Sequence, residues 1–397
     1  MERARERSGS GRVHTIAHGK ILWLGGYSVL ERPNISYVTT VDAGVHAYLD
    51  LEQDDSITIE APQFNMVVRG NLDRSTAKIS MNEPKGMRLL KTSVQAALMY
   101  AKSRGANISG FRIKTVNDPE FSYRVGEGEA KLTKSGLGSS AAVTVASVGA
   151  VLSAFGIDLY ESDALHKISQ TAHAVATGKV GSGFDIAAAS YGDIVYSRYD
   201  PNILMGFQPD FTVDDISAIV GRSWDYKIES MPLPSAFDLM LANFINKAAI
   251  TVSMVGSVNQ FKAEHPDSYS DMIKEMNARN TDALNAMRKI VHDGSSEESF
   301  EDFKSSFDEA RYATKRLGEL SNVIIEPDDA TELIEESERH GAFVAKLPGA
   351  GGYDSIAALI RKDRDDGAAS KLSDFWSRNR SLQMLHVKRR SVGIEVL

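Results

Sequence analysis

The segment Lys134-Ser-Gly-Leu-Gly-Ser-Ser-Ala-Ala142 places two glycines and two hydroxyls at the start of an alanine-rich apolar stretch. Glycines let backbone N–H groups close around a phosphate, a helix N-terminus adds about half a positive charge, and serine hydroxyls can reach phosphate or Mg²⁺. The spacing reads as a phosphate cradle made of Gly136, Leu137, Gly138, Ser139, Ser140 and Ala141, with Lys134 at its edge. A glycine turn followed by serine N-caps is the structural alternative for the same letters. No G-x-x-x-x-G-K-[ST] occurs, so this is not a Walker A loop. A dinucleotide fingerprint on Gly136, Gly138 and Ala141 would need a preceding strand, and Lys131 to Lys134 makes a poor one.

Three further segments carry chemistry-bearing residues. Gly178-Lys-Val-Gly-Ser-Gly-Phe-Asp185 delivers one carboxylate at the start of an apolar helix, where it could act as a general base or serve as an N-cap. Leu347-Pro-Gly-Ala-Gly-Gly-Tyr-Asp354 could lay backbone amides against a polyphosphate or be a tight turn. In His18-Gly-Lys20 a lysine leads an apolar strand and could place an ammonium in a cleft.

The elements that must position these residues follow from hydrophobic periodicity. Ile21 to Leu30, Val45 to Leu51, Phe111 to Val116 and Asp193 to Tyr199 read as strands, and Met87 to Arg104, Ser139 to Phe155 and Ser162 to Thr177 as helices. Beyond a connection around Gly221 to Pro234, Asp238 to Phe244 reads as a strand. Long helices are then expected at Ser268 to Val291, Ser299 to Leu317 and Asp329 to His340. Two short strands, Ala342 to Lys346 and Ser355 to Ile360, bracket the last glycine cluster. Residues 1–13 are expected to be a disordered lead-in, residues 14–225 an α/β domain holding the phosphate loop, and residues 226–397 a second domain.

Composition bounds the function. The 397 residues exceed the roughly 150-residue domain norm, and 42% hydrophobic with 25% charged residues is ordinary globular composition. A net charge of −8 disfavours a general nucleic-acid or anionic-membrane surface. The absence of cysteine removes disulfides, thiolate metal sites and cysteine nucleophiles and agrees with a cytoplasmic location. No apolar run has the length of a membrane span, so no membrane and no nucleic acid is expected as partner. A monomer or homodimer is equally compatible with the sequence.

Taken in order, the four segments resemble the GHMP kinases, whose middle signature is similar to Gly-Leu-Gly-Ser-Ser-Ala-Ala. Gly178 to Gly192, Pro348 to Asp354 and Gly25-Gly-Tyr-Ser-Val-Leu-Glu31 are similar to the phosphomevalonate kinase branch of the eukaryotic and archaeal kind. The resemblance implies an α+β two-domain fold: an N-terminal α/β domain like domain 2 of ribosomal protein S5 and a C-terminal ferredoxin-like domain, with ATP and substrate meeting between them. It implies ATP and Mg²⁺ as cofactors, phosphorylated mevalonate as acceptor, and Asp185, Lys20 and Lys134 as catalytic residues. Gly136, Leu137, Gly138, Ser139, Ser140 and Ala141 would hold ATP, with Ser139 also on the metal. Ser182, Gly183, Thr251, Ser253, Gly351 and Gly352 would contact substrate.

The sequence also departs from the family. Ile16-Ala17-His18-Gly19-Lys20 lacks the usual proline before the lysine. In Asn246 to Val255 only Thr251 and Ser253 keep hydroxyls, and His173 and Ala174 stand where mevalonate kinase has a metal-binding Glu. His173 is expected to be a buried, hydrogen-bonded helix residue. A decarboxylase of a phosphorylated mevalonate, or a ligand-binding degenerate homologue, remains as the alternative function.

Overall fold

A computed structural model describes residues 12–84, 86–125, 131–245, 251–292, 296–364 and 367–397. The first lobe contains β1 (Val13–Leu24), β2 (Ile35–Leu51), β3 (Ser56–Ala61), β4 (Met66–Asp73), β5 (Lys78–Met81), α1 (Arg88–Ser103) and β6 (Phe111–Asn117). There follow a hairpin of β7 (Ser122–Val125) and β8 (Lys131–Lys134), then α2 (Ser139–Ala154), α3 (Ala164–Thr177), α4 (Phe184–Tyr191), β9 (Ile194–Ser197), α5 (Val213–Gly221) and β10 (Lys227–Ser230). The second lobe contains β11 (Phe237–Phe244), α6 (Thr251–Glu264), α7 (Pro266–His292), α8 (Glu297–Leu320), α9 (Asp328–Arg339), β12 (Val344–Lys346), β13 (Ser355–Arg361), α10 (Ala368–Arg378) and β14 (Leu382–Leu385). The chain closes on β15 (Ile394–Val396).

Two sheets organise the lobes. In the first the order is β10-β9-β2-β6-β3-β4-β5, with β1 paired between β2 and β15. In the second it is β12-β13-β11-β14, all antiparallel. Numbered along the second lobe that order is 2-3-1-4, the split βαβ arrangement of a ferredoxin-like fold. The α+β two-domain expectation holds. The chain crosses back twice, since β10 pairs with β9 and β15 pairs with β1. Residues 227–230 and 394–396 therefore belong to the first sheet although they follow residue 225.

Most expected elements are present, with instructive exceptions. The strand expected over Ile21 to Leu30 stops at Leu24, because Gly25 takes φ +115° and a 3₁₀ turn runs over Gly26–Leu30. Lys131–Lys134, judged a poor strand, is one. It pairs with β7 in a two-stranded ribbon outside the main sheet, so it does not make the strand-to-helix step of a dinucleotide fold. α2 is apolar all round and is buried by β1, β2, α1 and α3, which fixes its N-terminus and the loop before it.

Candidate active site

Lys20 sits on β1 just after a break in pairing: His18 faces Gly44, whereas Lys20 faces Thr40. Gly19 lies at that break, and a Cβ there would meet the Phe121 ring at 3.1 Å and Leu137 Cβ at 3.3 Å. The Lys20 N–H, turned out of the ladder, donates to the Leu137 carbonyl at 3.0 Å. Its ammonium donates to the Gly136 carbonyl at 2.7 Å and lies 5.6 Å from the centre of the Phe184 ring. Burial lowers the Lys20 pKa below the usual lysine range, opposed by the negative charges of Asp185 and Asp354. His18, in the place of the usual proline, is buried and its Nε2 meets Glu395 Oε1 at 2.7 Å, which fastens β15 to β1.

The glycine loop before α2 is shaped by two left-handed residues, Gly136 at φ +72° and Gly138 at φ +82°. Gly138 is the N-cap of α2, so Ser139 and Ser140 occupy the first turn and are not the N-caps of the structural alternative. The first amides of a helix have no intrahelical acceptor and carry the positive end of the dipole, which is the geometry an anion needs. Leu137 and Ala141 are buried in the core, so each can offer a ligand only its backbone. Ser140 Oγ lies 3.3 Å from His173 Nε2. His173 is a hydrogen-bonded residue of α3, as expected, but half-buried rather than buried.

Asp185 stands in the first turn of α4, and its Oδ1 accepts from the Ile186 N–H at 3.0 Å. The N-cap is Gly183, so the N-cap alternative for Asp185 does not hold. Gly183 has φ +83°, and a Cβ there would lie 2.7 Å from the Tyr196 hydroxyl and 2.9 Å from Gln170 Nε2. Its carbonyl accepts from Gln170 Nε2 at 2.8 Å, and the Ser182 carbonyl accepts from the Tyr196 hydroxyl at 3.3 Å. These bonds aim the loop so that Asp185 faces Lys20, and they leave Gly183 with a packing role.

The second lobe brings the loop between β12 and β13 to the same place. A Cβ on Gly136 would lie 3.7 Å from Asp354 Cβ and 3.5 Å from Ser355 Oγ, so the two glycine loops abut there. Gly352 donates its N–H to the Ile325 carbonyl at 2.7 Å, and a Cβ on Gly351 would lie 2.3 Å from that oxygen. Both glycines therefore hold the loop to the segment after α8, and Gly352 has no amide left for a phosphate. Gly349, at φ +74°, has open space where a side chain would be.

Asp354 faces Lys20 from the second lobe, a relationship that sequence spacing alone could not reveal because 334 residues separate them along the chain. The Gly25 to Glu31 motif is a joint between lobes. Asn280 Oδ1 of α7 accepts the Gly25 N–H at 3.1 Å, and the Tyr27 hydroxyl donates to the Ala350 carbonyl at 3.0 Å. Glu31 Oε1 takes Lys262 at 2.5 Å and the Tyr269 hydroxyl at 2.9 Å. Lys134 ends β8, and Thr251 and Ser253 open α6. The side chains of these three, and residues 246–250 entirely, lie outside the described residues.

Among the described residues no group of three His, Cys, Asp or Glu could hold a metal, and no helix is long and apolar enough to cross a membrane.

The comparisons with known proteins agree with this architecture. Residues 91–193 match the N-terminal domain of the GHMP kinases and residues 298–378 match their C-terminal domain. The chain is 28% identical to the phosphomevalonate kinase of Candida albicans over 388 residues, covering 88% of this chain and 89% of that one. It is 28% identical to the phosphomevalonate kinase of Saccharolobus solfataricus over 381 residues, covering 95% and 97%. Streptococcus pneumoniae phosphomevalonate kinase, solved with phosphomevalonate and AMPPNP, superposes with a TM-score of 0.72 at 19% identity, over 96% of this chain and 100% of that one. With both domain signatures in order along one chain and relatives matched over about nine-tenths or more of their length in a fungus and an archaeon, the chain carries the N- and C-terminal domains of the GHMP kinases.

Proposed function

We propose that the chain is a phosphomevalonate kinase, transferring the γ-phosphoryl of ATP to the 5-phosphate of mevalonate 5-phosphate and releasing ADP and mevalonate 5-diphosphate. The reaction type rests on one observation: the buried Lys20 ammonium lies on the Gly136 carbonyl and is faced by Asp185 from one lobe and Asp354 from the other. The likeness to enzymes of that name over about nine-tenths of both chains supports the choice of acceptor.

The acceptor phosphate oxygen attacks the γ-phosphorus as the bond from that phosphorus to the β–γ bridging oxygen breaks. Such a transfer asks the protein chiefly for alignment and for charge neutralisation. A phosphate monoester, with a second pKa of about 6, is already largely ionised near neutral pH. Asp185 therefore has little proton to remove; its charge favours the protonated form of Lys20. Lys20 neutralises charge gathering on the transferring group, and the first turn of α2, with Ser139 and Ser140, receives the phosphates of ATP.

Mg²⁺ usually keeps waters and rides on substrate phosphates with one or two protein oxygens, so it needs no all-protein cage. The hydroxyls of Ser139 and Ser140 and the carboxylate of Asp185 fit that requirement. The ion, when bound, offsets phosphate charge. Cytoplasmic residence and small-molecule substrates alone belong to the same proposal.

The test is the product. ATP plus mevalonate 5-phosphate should give ADP and mevalonate 5-diphosphate in equal amounts, seen by phosphorus NMR as a new diphosphate doublet pair. CO₂ released from carboxyl-labelled substrate would overturn the kinase in favour of a decarboxylase.

A further inference from the structure

β1 has a second irregularity beyond the one at Gly19. Leu22 pairs with Val38 and Leu24 with Tyr37, so Trp23 is an extra residue with no register partner on β2. A bulge takes backbone groups out of the ladder, and inside a core those groups need another partner. Trp23 is fully buried. Its indole N–H donates to Thr39 Oγ1 at 2.8 Å, and its backbone carbonyl accepts from the ammonium of Lys346 at 2.7 Å.

Lys346 is the last residue of β12 and directly precedes the glycine loop that carries Asp354. It is 8% exposed. Among the described residues no carboxylate pairs with it directly. Glu326, the acid that favours its charged form, is held by Arg311 through bonds of 2.9 and 2.7 Å. Burial brings the Lys346 pKa down to about 8, with Glu326 opposing and Arg311 adding to the fall. Burying an ammonium to satisfy one carbonyl is costly, and stability alone would be served as well by an apolar side chain and a regular strand.

The bond crosses from one lobe to the other. Its acceptor is three residues from Lys20 along the same strand, roughly 10 Å at about 3.3 Å per residue. The stretch bearing Lys20 is thereby fastened at both ends, by the Leu137 carbonyl at the first break and by Lys346 at the second.

We propose that Lys346 is a positioning residue for phosphoryl transfer, holding the Lys20 segment of β1 in register with the second-lobe loop that carries Asp354. This rests on the placement of Lys20 in the transfer site. Lys346 acts through Lys20, so its removal matters only while Lys20 is there to be misplaced.

A double-mutant cycle tests this. Turnover with ATP and mevalonate 5-phosphate is measured for the parent, Lys346→Met, Lys20→Met and the double variant. Lys346→Met should lower kcat by about 10- to 100-fold, the loss that a displacement of about 1 Å at a reacting group produces. KM for both substrates should stay within about threefold, because uniform binding is untouched. The double variant should be no slower than Lys20→Met alone, within about threefold. Losses that multiply in the double variant overturn the proposal, as does unchanged kcat in folded Lys346→Met. Full turnover in Lys20→Met overturns the placement of Lys20 itself, and the proposal with it. If Lys346→Met does not fold, Lys346→Leu, which likewise has no donor for the Trp23 carbonyl, enters the same cycle under the same criteria.

Discussion

The ammonium of Lys20 donates to the carbonyl of Gly136 at 2.7 Å, so one lysine both faces the acidic pair and fixes the shape of the phosphate loop. Charge placement and loop geometry are therefore linked, and disturbing either should disturb the other.

Gly138 is the place to see this. It has φ +82°, and a Cβ there would lie 3.1 Å from Lys20 Cε. Gly138→Val strains the turn, closes the approach to the helix N-terminus and displaces the lysine stem. ATP binding measured by calorimetry should be lost while circular dichroism and cooperative unfolding persist. Unchanged ATP affinity in the folded variant would sink the phosphate cradle.

Asp185 and Lys20 face each other across the loop. Asp185→Asn and Lys20→Met should each lower turnover by about 10²- to 10⁴-fold; Asp185→Asn should leave ATP affinity nearly unchanged, whereas Lys20→Met, which frees the Gly136 carbonyl, should also weaken it. Steady-state kinetics with direct nucleotide binding separate the two effects. Near-normal turnover in either variant makes that residue structural.

Arg311 and Glu326 form a buried bidentate pair, with side chains 4% and 6% exposed. Glu326→Gln leaves the guanidinium without its counter-charge and should cost about 3–5 kcal/mol in urea unfolding, as breaking a buried pair does. A loss below about 1 kcal/mol would mean that the pair behaves like a surface one.

His166 gives a pH dependence with a definite sign. It is fully buried between Tyr191 and Tyr226, and among the described residues neither ring nitrogen has a hydrogen-bond partner. Burial pushes its pKa down to about 3, with Asp163 opposing and Lys167 adding to the fall. The unfolded chain titrates this group near 6.5, so between those values it binds the proton and the folded state does not. This contribution to stability is complete above about pH 6.5 and is lost as pH falls, at up to about 1.4 kcal/mol per unit. Urea unfolding at pH 7.5 and 5.0 should show a shallower decline for His166→Phe than for the parent. Parallel declines would show that the imidazole is protonated in the fold.

The chemistry-bearing segments, both lobes and most helices were legible in the sequence because they depend on local spacing. Glycines before an apolar run mark a loop and helix start, and a 3.6-residue period marks a buried face. Residues such as Gly138 and Gly183 announce a special turn by composition, though the sequence could not say that one yields to a lysine stem and the other to Tyr196 and Gln170.

What only the tertiary structure decided was which groups meet. Trp23 and Lys346, or Lys20 and Asp354, are joined by sheet register, bulges and the docking of one lobe on the other. Gly351 and Gly352 are held against Ile325, and His18 is bonded to Glu395 of a strand that returns from the far end of the chain. No periodicity encodes such pairings. Each is set by the long-range packing that buries the two sheets, and a shift of one residue in register would turn Lys20 to the opposite face of β1.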